Sequence, residues 1–179
     1  MTIHHETIQA LSHLFQTVAK PGPDSAETSQ VENEPESDET PRKNGILERD
    51  YQSCGFHLDI LLDPDQLIEA TTILFKLDFY LESITGVDWI KDNQLEVVYD
   101  FSRYDFELCR IAIRVKVPRD NPLIPSITKV YTGANWHERE THDFFGIKFQ
   151  NHPNPTPLLL PEDADFHPLL KDFKHEQTD

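Results

Sequence analysis

The sequence predicts an α+β domain, a mostly antiparallel sheet of about four strands with helices on one face, followed by an extended proline-rich C-terminal tail. Three observations carry this. Cys109, Ile111, Ile113, Val115 and Val117 alternate with Arg110, Arg114 and Lys116, the period-2 signature of a half-buried strand. Leu67, Ala70, Leu74 and Leu77 recur at helical spacing behind Pro64, a residue suited to opening a helix. From Asn151 onward, Pro153, Pro155, Pro157, Pro161 and Pro168 forbid a long helix or a central strand.

Four segments follow along the chain: a helix in 1–20, an acidic linker in 21–50, the α+β core with a charged helix in 51–150, and the tail in 151–179. Ile8, Leu11, Phe15 and Val18 recur at i, i+3, i+7 and i+10, so residues 4–19 are expected as a short amphipathic helix, stopped by Pro21 and Pro23. It could fold back on its own domain or dock on a neighbour. Asp24 to Glu39 contains seven acids, no Lys or Arg and no aromatic residue. Such a stretch cannot bury enough apolar surface to offset ordering and is expected as a disordered tether. Phe56, Leu58, Ile60 and Leu62 alternate as a first strand, and Pro64 to Leu77 follows as a helix. Further strands are expected near Tyr80–Ile90, Gln94–Ser102 and Glu107–Val117, with turns at Asp92-Asn93 and Arg103–Phe106. The stripe of Arg110, Arg114 and Lys116 is either a solvated sheet face or a surface that meets a neighbour's acids.

Composition removes several functions. The formal charge of −16 argues against a nucleic-acid binder, which would need a basic face, and against direct docking on anionic lipid. Nowhere do about eighteen apolar residues run together, so no direct membrane insertion is expected, and Met1 to Glu6 lacks the basic and apolar blocks of a targeting segment. The two cysteines, Cys54 and Cys109, fall in different expected strands without a C-x-x-C. They are too few for an iron–sulfur cluster and are expected as buried, inert thiols.

The densest chemistry lies in Asn135 to Gly146, N-W-H-E-R-E-T-H-D-F-F-G. It is expected as a helix with Asn135 at the N-cap, Glu138 in a capping box and Gly146 at the left-handed C-terminal position. Wound at about 100° per residue, Trp136, Glu140 and Phe144 fall on one side, flanked by Arg139 and Asp143, with Glu138, His142 and Phe145 opposite. Charges sharing a side with aromatics need partners, and Arg139, Glu140 and Asp143 are expected to form buried ion pairs within the fold or across an interface. A zinc-protease H-E-x-x-H fails because Thr141 stands where the second histidine belongs, and His137 and His142 diverge. The di-metal E-x-x-H fails because Arg139 precedes His142 by three. No metal ligand set is expected here.

The tail carries Leu158, Leu159, Leu160, Phe166, Leu169, Leu170 and Phe173 on a segment too rich in proline for regular structure. Such residues need a surface, which is either the chain's own sheet or a partner.

Read together, E-R-E-T-H-D-F-F-G-I-K-F, His152-Pro153, L-L-L-P-E-D at Leu158 to Asp163 and H-P-L-L-K-D-F at His167 to Phe173 resemble the 30-kDa subunit of respiratory complex I. That family includes the C subunit of the bacterial NADH-quinone oxidoreductase and is shared with energy-converting membrane-bound hydrogenases. Glu138, Arg139, Glu140, Asp143, Gly146, His152, Pro161, Glu162 and Asp163 fall on the family's motif positions. The resemblance implies a non-catalytic peripheral-arm subunit that scaffolds the large 49-kDa-type subunit and neighbouring iron–sulfur subunits. The assembly would be a proton-translocating NADH-quinone oxidoreductase at the cytoplasmic face of a bacterial or archaeal membrane. It implies no cofactor on this chain, with NADH, FMN, iron–sulfur clusters and quinone on partner subunits. NADH-type members carry basic residues where this chain has Thr156 or Pro157, and Leu170, which leaves the dehydrogenase and hydrogenase assemblies both open. Readings outside the family are a metal-dependent hydrolase using His137, Glu138 and His142, or an acidic adaptor.

Overall fold

The computed structural model describes residues 2–16, 42–105 and 108–174. The acidic segment from Asp24 to Glu39 lies outside the described residues.

The expected layer is present, with one more strand than the sequence reading supplied. Strands β1 (Gly45–Glu48), β2 (Leu58–Leu62), β3 (Tyr80–Trp89), β4 (Gln94–Arg103) and β5 (Cys109–Pro118) form one sheet in the order β1-β2-β5-β4-β3. Every pairing is antiparallel except β2 with β5. β1 lies inside the stretch expected as linker, so residues 42–50 belong to the folded core; four residues are too few to show a period. A second, parallel pair joins β6 (Leu123–Pro125) to β7 (Lys148–Gln150).

One face of the sheet carries the core. Leu58, Ile60, Leu95, Val97, Tyr99, Phe101, Ile111, Ile113 and Val115 are buried with residues of three helices. Helix α1 (Ile3–Gln16) supplies Leu11 and Leu14, α3 (Leu67–Lys76) supplies Leu67, Ala70 and Leu74, and α4 (Ala134–Phe145) supplies Ala134. The N-terminal helix therefore folds back on its own domain. Gln66 Nε2 donates to the Leu14 carbonyl at 2.6 Å, and His13 meets Glu69 at 2.9 Å. Pro64 opens a short 3-10 turn, Pro64–Gln66, ahead of α3, where Asp63 and Gln66 form a capping box.

The other face settles the basic stripe. Asp59 receives Arg42 and Arg114, each at 2.9 Å, and Arg114 reaches towards Glu96 at 3.7 Å. Arg110 pairs with Glu82 at 2.6 Å, and Lys116 stands over the Trp89 ring at 5.1 Å. The stripe is thus neither simply solvated nor waiting for a neighbour: the chain's own acids answer its two arginines and the Trp89 ring its lysine. Sequence spacing could not reveal this, because Asp59 comes from a strand made adjacent by the parallel pairing.

The cysteines differ in one respect from the expectation of two buried strand thiols. Cys109 is buried on β5, whereas Cys54 is exposed and closes the one-turn helix α2 (Tyr51–Cys54). Asp50 caps that turn and Gly55, at φ +80°, ends it.

Candidate functional site

The site is the charged helix α4 and the proline-rich segment that crosses it. Ala134, Glu138, Thr141 and Phe145 are spaced i, i+4, i+7 and i+11, so they share one stripe. Ala134, Glu138 and Thr141 are buried, and Phe145 packs on the core. That stripe leans on β3, where Gly86 makes room: a Cβ there would stand 2.4 Å from the Phe145 ring. Trp136 is 61% exposed and Glu140 is also exposed, so the side with the larger aromatic faces outward, against the expectation from the helical wheel. The N-cap is Gly133, with no side-chain cap, and Asn135 is inside the helix. Gly146 is the C-terminal residue expected, left-handed at φ +73°, its N–H donating to the His142 carbonyl at 2.8 Å.

Arg139 and Asp143 do find partners, but these are backbone groups of the tail and not ions. One oxygen of Asp143, Oδ2, accepts three successive N–H groups, from Leu158 at 2.8 Å, Leu159 at 2.7 Å and Leu160 at 3.1 Å. Burial alone would raise this carboxyl. The three N–H donors together outweigh burial and hold it below its ordinary value. Arg139 Nε donates to the Thr156 carbonyl and Nη2 to the Pro157 carbonyl, each at 2.8 Å, while its guanidinium lies 5.5 Å from the Trp136 ring. Among the described residues no salt bridge involves Arg139, Glu140 or Asp143, so within the fold Arg139 and Asp143 make hydrogen bonds with the tail in place of ion pairs. Besides the two carbonyls, Arg139 Nη2 also reaches the Thr156 hydroxyl at 3.3 Å.

The tail in turn satisfies the helix end. The last carbonyls of a helix lack internal partners. Here His167 Nδ1 meets the Asp143 carbonyl at 2.8 Å, and the Leu169 N–H donates to the Phe144 carbonyl at 3.1 Å. The His167 ring passes so close that a Cβ on Gly146 would stand 2.6 Å from it. Further along, buried Asp88 of β3 accepts the Lys171 N–H at 2.8 Å and pairs with Arg119 at 3.0 Å, and Arg119 also holds Asp172 at 2.7 Å. Leu170 packs against the core. We call residues 151–174 the strap.

Glu138 and His152 form the deepest part of the site. Glu138 Oε1 accepts the Ile127 N–H at 2.8 Å. Its Oε2 lies 3.8 Å from His152 Nε2 and makes no hydrogen bond, as is also true of the buried Tyr99 hydroxyl. Burial pushes Glu138 up to about 7, against the opposing hydrogen bonds of Ser126 and Ile127. Burial likewise lowers His152. His152 Nδ1 accepts the Asn154 N–H at 3.1 Å, so its neutral ring carries the proton on Nε2, which faces the Asn135 carbonyl at 3.3 Å.

Of the motif positions, Glu138, Arg139, Asp143, Gly146 and His152 converge on this helix–strap junction, whereas Glu140, Pro161, Glu162 and Asp163 are exposed. Asp88, Arg119, Gly86 and His167 complete it. None of these four carries a local signature that marks it; only His167 lay within a recognisable segment. With its inner side tied down, the strap presents Leu159, Phe166, Leu169 and Phe173 outward, and Phe166 and Phe173 have ring centroids 5.6 Å apart.

The hydrolase reading fails on access, because Glu138 is fully buried and His142 Nδ1 is engaged by the Ile147 carbonyl at 2.9 Å. Another group, His4, His57 and Cys109, places ligand atoms within 4.8 Å of one another. His57 Nδ1 accepts the Arg110 N–H at 3.0 Å, which fixes the ring proton on Nε2 and removes the lone pair a metal would need there.

Comparison with known proteins identifies the family. Residues 60–179 match the family described as "Respiratory-chain NADH dehydrogenase, 30 Kd subunit". The chain is 43% identical over 96 residues to the C subunit of the F(420)H(2) dehydrogenase of Methanosarcina mazei, spanning 53% of this chain and 60% of that protein. It is 45% identical over 120 residues to the C subunit of the NADH-quinone oxidoreductase of Roseiflexus castenholzii, spanning 64% and 68%. It is 36% identical over 155 residues to the J subunit of the NAD(P)H-quinone oxidoreductase of Prochlorococcus marinus subsp. pastoris, spanning 76% and 88%. A chain in the structure of the membrane-bound sulfane sulfur reductase, an archaeal respiratory membrane complex, superposes with a TM-score of 0.59 at 25% identity, covering 65% of this chain and 71% of that one. The chain belongs to the family of the 30-kDa subunit of the respiratory-chain NADH dehydrogenase.

Proposed function

We propose that this chain is a non-catalytic scaffold subunit of a complex I-like NADH-quinone oxidoreductase, docking through its strap on a large 49-kDa-type subunit beside the iron–sulfur subunits. One observation carries the reading: the strap is anchored on its inner side by Asp143, Arg139 and Asp88, yet keeps four large apolar side chains outside. Fixing a proline-rich segment in one shape before binding removes part of the entropy cost of association. The apolar residues it displays are the kind that interface cores bury. NADH, FMN, iron–sulfur clusters and quinone would sit on partner subunits, in a complex that couples electron transfer to proton translocation at the cytoplasmic face of the cell membrane. Among the described residues no helix is long and apolar enough to cross a membrane, so partner subunits would hold the chain there.

A second reading is the equivalent subunit of a complex with a different electron donor or acceptor, including the membrane-bound energy-converting hydrogenases. It is favoured by relatives named for F(420)H(2) oxidation and sulfane sulfur reduction. Affinity purification of the tagged chain from its native membranes, with mass spectrometry of what accompanies it, separates the two. NADH-oxidising and flavin-binding subunits support the first reading, and their consistent absence from an otherwise intact assembly supports the second. A chain recovered alone contradicts both.

A further inference from the structure

We propose that Glu138 and His152 form a buried proton-holding site at the root of the strap. With the strap closed, one proton sits on the Glu138 carboxyl. When the Asn151–Pro157 turn lifts away, that proton is exchanged for one on the His152 imidazole. The two residues thereby pull the pH dependence of strap anchoring in opposite directions, and the site holds independently of what docks outside.

Among the described residues Glu138 Oε2 and Tyr99 Oη are both buried without a hydrogen-bond partner, and the Tyr99 hydroxyl is pushed well above its ordinary value by burial first and by Glu138 second. A carboxylate sealed from water with an unanswered oxygen is costly, while a carboxylic acid can offer its own O–H to a neighbouring oxygen. Among the described residues no cation compensates instead. On α4 itself, Arg139 is turned to the strap carbonyls and His142 to Ile147. β4 presents the neutral Tyr99, the 126–128 segment presents the Ser126 and Thr128 hydroxyls and the Ile127 N–H, and Asp88 of β3 is already paired with Arg119. From the strap comes His152, whose Nδ1 is occupied by the Asn154 N–H, so the closed form holds a neutral ring. A second proton on Nδ1 would break that bond.

Glu138 is raised when folded, so alone it stabilises the closed form at low pH and loses that contribution as pH rises from its ordinary 4.5 to about 7. His152 is lowered when folded, so alone it destabilises the closed form as pH falls below its ordinary 6.5. The two contributions therefore run in opposite directions with pH.

Hydrogen exchange of the full chain tests this. The pH slope of the Asn154 amide's opening equilibrium, corrected for intrinsic exchange, should lie in the wild type between those of the two single variants. Glu138→Gln should leave the histidine alone, so opening increases as pH falls, by at most about tenfold per pH unit. His152→Gln should leave the carboxyl alone, so opening increases as pH rises by a similar factor. Opposite slopes in the two variants establish the site; parallel slopes, or none, overturn it. Carboxyl-carbon NMR of the wild-type chain gives a reading that needs no variant to fold. A glutamate midpoint near 7, shifted by Tyr99→Phe, supports the assignment, and glutamates all titrating between about 4 and about 5 overturn it.

Discussion

Asp143 shows most plainly what the charged helix does. Three charge-assisted N–H bonds converge on one of its oxygens. Asp143→Ala should therefore cost about 2–4 kcal/mol in denaturant unfolding, since bonds to charged groups are the stronger kind and the strap N–H groups lose their acceptor. Because the folded carboxyl is held below its ordinary 3.8, this contribution is complete above that value and is lost as pH falls through the depressed one. The gap between wild type and Asp143→Ala should accordingly shrink in strong acid, and a gap independent of pH would contradict the assigned cause. Arg139→Ala should cost about 1–3 kcal/mol by the same measurement and lower the yield of assembled complex more than the turnover of what assembles. Both residues were legible as charges that need partners. The kind of partner was not, because a helical wheel sees side chains and these partners are main-chain atoms of an aperiodic segment fifteen to eighteen residues away.

Among the elements, long periodic ones were readable and short ones were not. β5 and α3 appear where alternation and helical spacing placed them. β1, β6 and β7 span three or four residues each and exist through pairing, which leaves no local pattern. The N-cap of α4 was misplaced by two residues because Asn135 is a good capping residue, yet Gly133 holds the position. The packing of α4 on β3 depends on Gly86, which carries no sequence signal. Gly86→Ala should force the Phe145 ring aside and cost about 1–3 kcal/mol by overpacking, read as a lowered Tm. Gly86→Ala combined with Phe145→Leu should recover part of that loss if the contact is the reason. No recovery would place the strain elsewhere.

For the whole molecule, the sheet, the helices and the strap form one folded unit that leaves part of the strap's apolar surface uncovered. The motif run identified in the sequence lies at one junction, where Glu138, Arg139, Asp143, Gly146 and His152 face inward to the strap, while Glu140, Glu162 and Asp163 face solvent with Trp136, Leu159 and Leu169. Whether the tail packs on itself or on a partner could not be read from its composition. In the structure it packs on its own chain through main-chain bonds and through His167, Leu170 and Asp172, and leaves Leu159, Phe166, Leu169 and Phe173 exposed. Leu159→Asp with Leu169→Asp should change stability by no more than about 0.5 kcal/mol each, as exposed positions do. The most direct measurement is the recovery of membrane partners with the tagged double variant beside the wild type. The account predicts a folded chain with an unchanged melting transition that brings down far less of the large 49-kDa-type protein. Full recovery with that variant would contradict the strap as the docking surface.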